Sequence, residues 1–103
     1  MQLNIAGHHV EVTDGIRENI QLRYAKIESH YPDLESISII LTVEKNEQKV
    51  EANTNYLGTT IAVHASHNDM YVAIADSVKK LDSALSHRKG VVKGNKHGQS
   101  ARA

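Results

Sequence analysis

The spacing of apolar positions changes along this chain, and each change marks a new element. Leu3 and Ile5 alternate with Gln2 and Asn4, the period-two pattern of a short strand, which Gly7 is expected to end. Ile16, Ile20, Tyr24 and Ile27 then recur at steps of four and three, one apolar stripe along an amphipathic helix. Thr13 is placed to cap that helix, because its hydroxyl can accept an orphan N–H of the first turn. Asp14, just inside, suits the positive end of the helix dipole. Pro32 disfavours helical backbone at Tyr31, so the helix is predicted to stop near His30.

Period two returns at Ile37, Ile39, Leu41 and Val43, again at Val50, Ala52, Thr54 and Tyr56, and a third time at Ile61, Val63 and Ala65. Glu44 to Lys49 reads as a polar connection, and Gly58 marks a turn. Short connections between such runs favour antiparallel hairpins. A second helix follows, capped by Asn68 or Asp69, with Tyr71, Ile74, Val78, Leu81 and Leu85 as its buried stripe. It is expected to fade near His87 to Lys89, since Gly90 and Gly94 oppose a rigid extension.

The order is β-α-β-β-β-α. It predicts an α/β (α+β) domain with both helices on one face of a four-stranded sheet and the other face wet. The second strand can lie parallel to the first through the intervening helix. Residues 1–89 form the predicted domain and 90–103 a flexible basic tail.

Composition narrows the chemistry. The 103 residues suit one core, built mainly from aliphatic side chains because tryptophan and phenylalanine are absent. The absence of cysteine removes disulfides, thiolate zinc sites and cysteine nucleophiles. No secretory start and no bilayer-length apolar run is present, which points to the cytoplasm. Seven histidines raise the question of metal. His8 and His9 are adjacent on a strand and should point to opposite faces, while His64 and His67 lack a trusted metal spacing. There is no nucleophile elbow and no phosphate loop, so neither catalytic residues, metal ligands, cofactor nor small-molecule substrate is expected. The protein does not read as an enzyme.

Twelve Lys/Arg balance twelve Asp/Glu, but unevenly: Arg88, Lys89, Lys93, Lys96 and Arg102 all follow His87, and no acidic residue does. A mildly acidic domain with a basic end hints at nucleic acid or another anionic surface. Arg17, Arg23 and Lys26 lie on the first helix, the two arginines flanking its stripe; Lys80 and His87, seven apart, share the outward face of the second, with Lys79 to one side of it. If the helices lie side by side, these residues line a groove continuous with Arg88 and Lys89. Arginine would fit phosphate bidentately and lysine would serve as a point charge. Ordinary solvated helix faces carry the same residues, so the stripe is a footprint rather than a proof.

Several strings resemble one family. They are the start Met1-Gln2-Leu3-Asn4-Ile5, the run Val10-Glu11-Val12-Thr13 leading into Ile16-Arg17-Glu18, and Arg23-Tyr24-Ala25-Lys26-Ile27-Glu28. A fourth is Asp69-Met70-Tyr71-Val72-Ala73-Ile74 followed by Lys80-Leu81. Together, in unbroken order from residue 1 to about residue 89, they are similar to the bacterial ribosome hibernation promoting factors and their paralogue, the ribosome-associated inhibitor protein Y.

The resemblance implies a fold like that of double-stranded RNA-binding domains and a seat on the small ribosomal subunit, in the mRNA/tRNA channel. There the protein would silence translation by occupancy and promote inactive ribosome dimers, helped by a ribosome modulation factor, while being a monomer when free. Carried over by position, the implied rRNA contacts are Arg17, Arg23, Lys26, Lys79, Lys80, Arg88 and Lys89. Ser83, Ser86 and His87 stand where relatives are richer in basic residues, which leaves the second helix with fewer fixed charges. The short basic end resembles the short hibernation-promoting type rather than the inhibitor. The alternatives are a generic double-stranded RNA-binding module and a protein–protein adaptor that uses the wet sheet face.

Overall fold

The computed structural model describes the backbone of residues 1–102 and the side chains of residues 1–93. Elements follow in the order β1 (Gln2–His8), α1 (Asp14–His30), β2 (Ser36–Glu44), β3 (Glu47–Tyr56), β4 (Thr59–His67) and α2 (Met70–Arg102). The sheet runs β1-β2-β3-β4, with β1 parallel to β2 and the remaining pairs antiparallel. This is the predicted β-α-β-β-β-α architecture.

Register explains which face is covered. Ile39 pairs with Ala52, and Ala52 with Val63, so these three stand in one row across the sheet. Leu41, Val50 and Ala65 form the next row. Leu3 and Ile5 of β1 extend the same side. These rows meet Ile20, Tyr24 and Ile27 of α1 and Ile74, Val78, Leu81 and Leu85 of α2 in a single core. The opposite face carries Ser38, Asn53 and Ala62 in one row and Ile40, Glu51 and His64 in the next, so it is largely polar.

Local chemistry sets the element ends. Thr13 Oγ1 accepts from Ile16 N at 3.2 Å, capping α1 as its position predicts. Asp69 Oδ1 accepts from Tyr71 N at 2.9 Å and caps α2. The β2–β3 connection is shorter than predicted: only Lys45 and Asn46 separate the strands, because Glu44 already faces Glu47. At the β3–β4 turn Leu57 and Gly58 both take positive φ, +51° and +77°, the backbone that the right-handed twist of a two-residue hairpin demands.

Three expectations are corrected. β1 does not end at Gly7 but runs to His8. The chain then folds back so closely that a Cβ on Gly7 would collide with the Val10 carbonyl oxygen. His8 and His9 do not diverge: His9 adopts φ +63°, which breaks strand alternation, and the two rings stack with centroids 4.1 Å apart. The second helix does not fade at His87–Lys89. It continues through Gly90 to Arg102, because helical hydrogen bonds propagate cheaply from an anchored stretch and outweigh the roughly 1 kcal/mol preference of a single glycine against helix. The side chains of Lys96 and Arg102, assigned to the basic tail, lie outside the described residues.

Candidate nucleic-acid interface

Three contacts fix the helices relative to each other. A Cβ on Gly15 would stand 3.4 Å from the Tyr71 hydroxyl. Tyr24 and Ser77 are hydrogen-bonded at 2.6 Å, and the Tyr31 hydroxyl donates to the Asp82 carbonyl at 3.2 Å. The partners ascend together along both helices, so α1 and α2 lie side by side and roughly parallel. Ser77 spends its own proton on the Ile74 carbonyl at 2.7 Å, so Tyr24 is the donor of the buried pair. Burial pushes the Tyr24 hydroxyl up to about 12, only partly offset by Ser77.

Tyr71 is not core, contrary to its place on the apolar stripe. It is 46 % exposed, and Met70 at 5 % takes the buried position. Both residues fit the stripe spacing to Ile74; the sheet lies under Met70, while Tyr71 is turned toward the first turn of α1.

Asp82 straps the helix pair together, receiving Lys26 Nζ at 3.7 Å and His30 Nδ1 at 3.6 Å. Arg23 stands two turns before His30 and therefore shares the α1 flank that faces α2. Lys89 stands two turns beyond Asp82 on the flank of α2 that faces α1. Arg17 lies on the other side of α1, three turns before Glu28, whose carboxylate meets the Met1 ammonium just ahead of β1 at 3.2 Å. Arg17, Arg23, Lys79 and Lys89 are exposed and have no ion pair among the described residues.

Lys80 and Arg88 sit differently. The Lys80 ammonium donates to the His64 carbonyl at 2.8 Å, and Arg88 donates to the Leu57 carbonyl at 2.6 Å. Arg88 Nε is buried without a partner. With His87, these residues line an open groove of about 1430 Å³ between α2 and β4. The single continuous groove expected from the sequence is therefore two surfaces, separated by the crest of α2. Lys49 and His64, on the sheet side of the β4 groove, were not singled out as RNA contacts; no sequence pattern links a strand residue to a helix arriving more than a dozen positions later.

Among the described residues no group of three or more metal-ligating side chains converges, and no helix is long and apolar enough to cross a membrane.

A family model described as "Sigma 54 modulation protein / S30EA ribosomal protein" matches residues 3–93. The chain belongs to this family. It is 39 % identical to the ribosome hibernation promoting factor of Pseudomonas putida over 102 residues, covering 99 % of this chain and all of that one. Against the Escherichia coli ribosome hibernation promoting factor the identity is 34 % over 93 residues, 90 % of this chain and 98 % of the other. A solved structure of a ribosomal subunit interface protein from Coxiella burnetii superposes with a TM-score of 0.82 at 28 % identity, over 87 % of this chain and 99 % of that one. The N-terminal domain of Thermus thermophilus protein Y, at 24 % identity and a TM-score of 0.76 over 84 % of this chain and 98 % of that one, shares the fold. The chain is thus a member of the ribosome hibernation promoting factor family, as its sequence strings indicated, and that family is not one of enzymes.

Proposed function

We propose that this protein is a cytoplasmic ribosome hibernation factor that binds the small ribosomal subunit in the mRNA/tRNA channel and silences translation by occupancy. It promotes inactive ribosome dimers together with a ribosome modulation factor and is a monomer when free. The observation that carries the reading is the paired, parallel helices, which hold Arg23, Lys26 and Lys89 on one rigid surface around Asp82, with Lys79 on the β4 side of α2. Arg17 extends the charge to the far flank of α1. Lys80 and Arg88 keep donors beyond those given to His64 and Leu57, so each reaches phosphate without leaving its carbonyl. Fixed cations at several phosphate positions recognise the shape of folded RNA rather than its sequence.

Co-sedimentation with ribosomes and isolated subunits across a salt series tests this. Saturable one-to-one binding to the small subunit is expected, with log affinity falling against log salt at a slope near −4 for about five phosphate contacts. No binding at low salt, or a preference for free RNA duplexes over subunits, overturns it.

A further inference from the structure

The groove between α2 and β4 combines three features that no other surface of the described residues brings together: an open strand edge, an apolar floor and a cationic wall. β4 is the last strand of the sheet, and no backbone group pairs with its outer edge. In an antiparallel ladder alternate residues direct both N–H and C=O to the same side. The Lys80 bond to the His64 carbonyl identifies the outward set as Ala62, His64 and Ser66. Lys80 occupies one acceptor of this row and no donor, so the three outward N–H groups stay open.

Ile61, Val63, Ala84 and Val91 supply the apolar floor. Lys79, Lys80, His87 and Arg88 line the helix side. The one carboxylate in the lining, Glu47, is engaged by Lys49 at 3.4 Å. The open N–H and C=O groups of this edge match any extended backbone, and the cations beside them favour one that carries carboxylates and repel a basic one.

We propose that this groove receives an extended acidic segment of a partner protein, which adds to β4 as a fifth strand. Its carbonyls accept from the N–H groups of Ala62, His64 and Ser66, and its acidic side chains, all on the helix-facing side, lay their methylenes on Val63 and Val91 and their carboxylates against Lys80 and Lys79. Main-chain bonds give the affinity and the alternating side chains the selectivity. Lys80 acts as a gate, passing its ammonium from the His64 carbonyl to the incoming carboxylate. The groove lies on the flank of α2 away from α1, so Arg17, Arg23 and Lys26 remain open while it is filled. Lys79, Lys80 and Arg88 are also proposed rRNA contacts, so the segment and the ribosome compete for this groove.

The test is a titration of the isotopically labelled full chain with an end-blocked nonapeptide of alternating valine and glutamate, followed by amide NMR. Amides of Ala62, His64 and Ser66 are expected to shift and to gain protection from hydrogen exchange, while those of β1 stay still. Lys80→Gln, an exposed change that leaves the core alone, is expected to weaken binding about fivefold by loss of one charge-assisted contact. His64→Pro removes the central donor at an edge position where proline is tolerated, and is expected to abolish the shifts with the circular dichroism unchanged. Absence of shifts at millimolar peptide overturns the proposal. So does an equal response to a valine–lysine peptide, or the same amides responding more strongly to a single-stranded uridine oligonucleotide.

Discussion

Tyr24 and Tyr71 are the same residue type on facing helices, yet they do opposite things. Tyr24 is fully buried with its hydroxyl raised to about 12, so folding favours its neutral form. Its unfolded-state value is near 10; the stability this supplies is complete below pH 10 and is lost as the pH rises toward 12, roughly 2–3 kcal/mol in all. Urea denaturation at pH 9 and pH 11.5 should show that loss in the wild type and a smaller one in Tyr24→Phe. Tyr71, by contrast, is half outside. Tyr71→Ala is expected to cost no more than about 1 kcal/mol, whereas Met70→Ala, which opens a core cavity, should cost about 2–3 kcal/mol. A larger loss at Tyr71 than at Met70 would reverse the burial assignment.

Two elements carry visible conformational cost. In the β3–β4 hairpin, Leu57 holds φ +51° with an exposed side chain, a backbone that asparagine adopts far more readily. Its carbonyl is held by Arg88, so the turn is fixed from the helix side rather than by its own residue choice. Leu57→Asn should therefore raise the melting temperature, by up to about 1 kcal/mol of stability. In α2, a Cβ on Gly90 meets nothing within 4 Å. Gly90→Ala is expected to add about 0.5–1 kcal/mol and to increase the helical ellipticity, since alanine removes backbone freedom from the unfolded chain and clashes with no neighbour. Unchanged ellipticity would mean that the helix does not need position 90.

The whole molecule separates its charges by direction. Combined Arg17→Ala, Arg23→Ala, Lys26→Ala and Lys79→Ala substitutions should leave the circular dichroism intact, because all four side chains are exposed and, among the described residues, only Lys26 of the four makes an ion pair. Ribosome affinity should fall, with the salt slope shallower by about 3–4. An unchanged slope would remove these residues from the proposed contact surface. Lys80→Ala frees the β4 edge as well as deleting a charge, so its effect on ribosome binding belongs in a separate measurement.

The element order, the N-cap and the end of α1 and most of the core were legible from the sequence, because period, capping and proline act over a few residues. Thr13 and the Ile20–Tyr24–Ile27 stripe needed no distant partner to be read, whereas Asn68 and Asp69 both suit the cap of α2 and the structure selects Asp69. Met70 against Tyr71 was not decidable, since both satisfy the same helical spacing and only the sheet beneath selects between them. The side-by-side packing of the helices, the strap at Asp82, the tethering of Lys80 and Arg88 to strand carbonyls and the division of the cations across α2 all join residues far apart in the chain. The sequence determined which faces are apolar and where charge is available; the tertiary structure alone decided which charges stand free, because that depends on what each long side chain can reach once the helices are seated on the sheet.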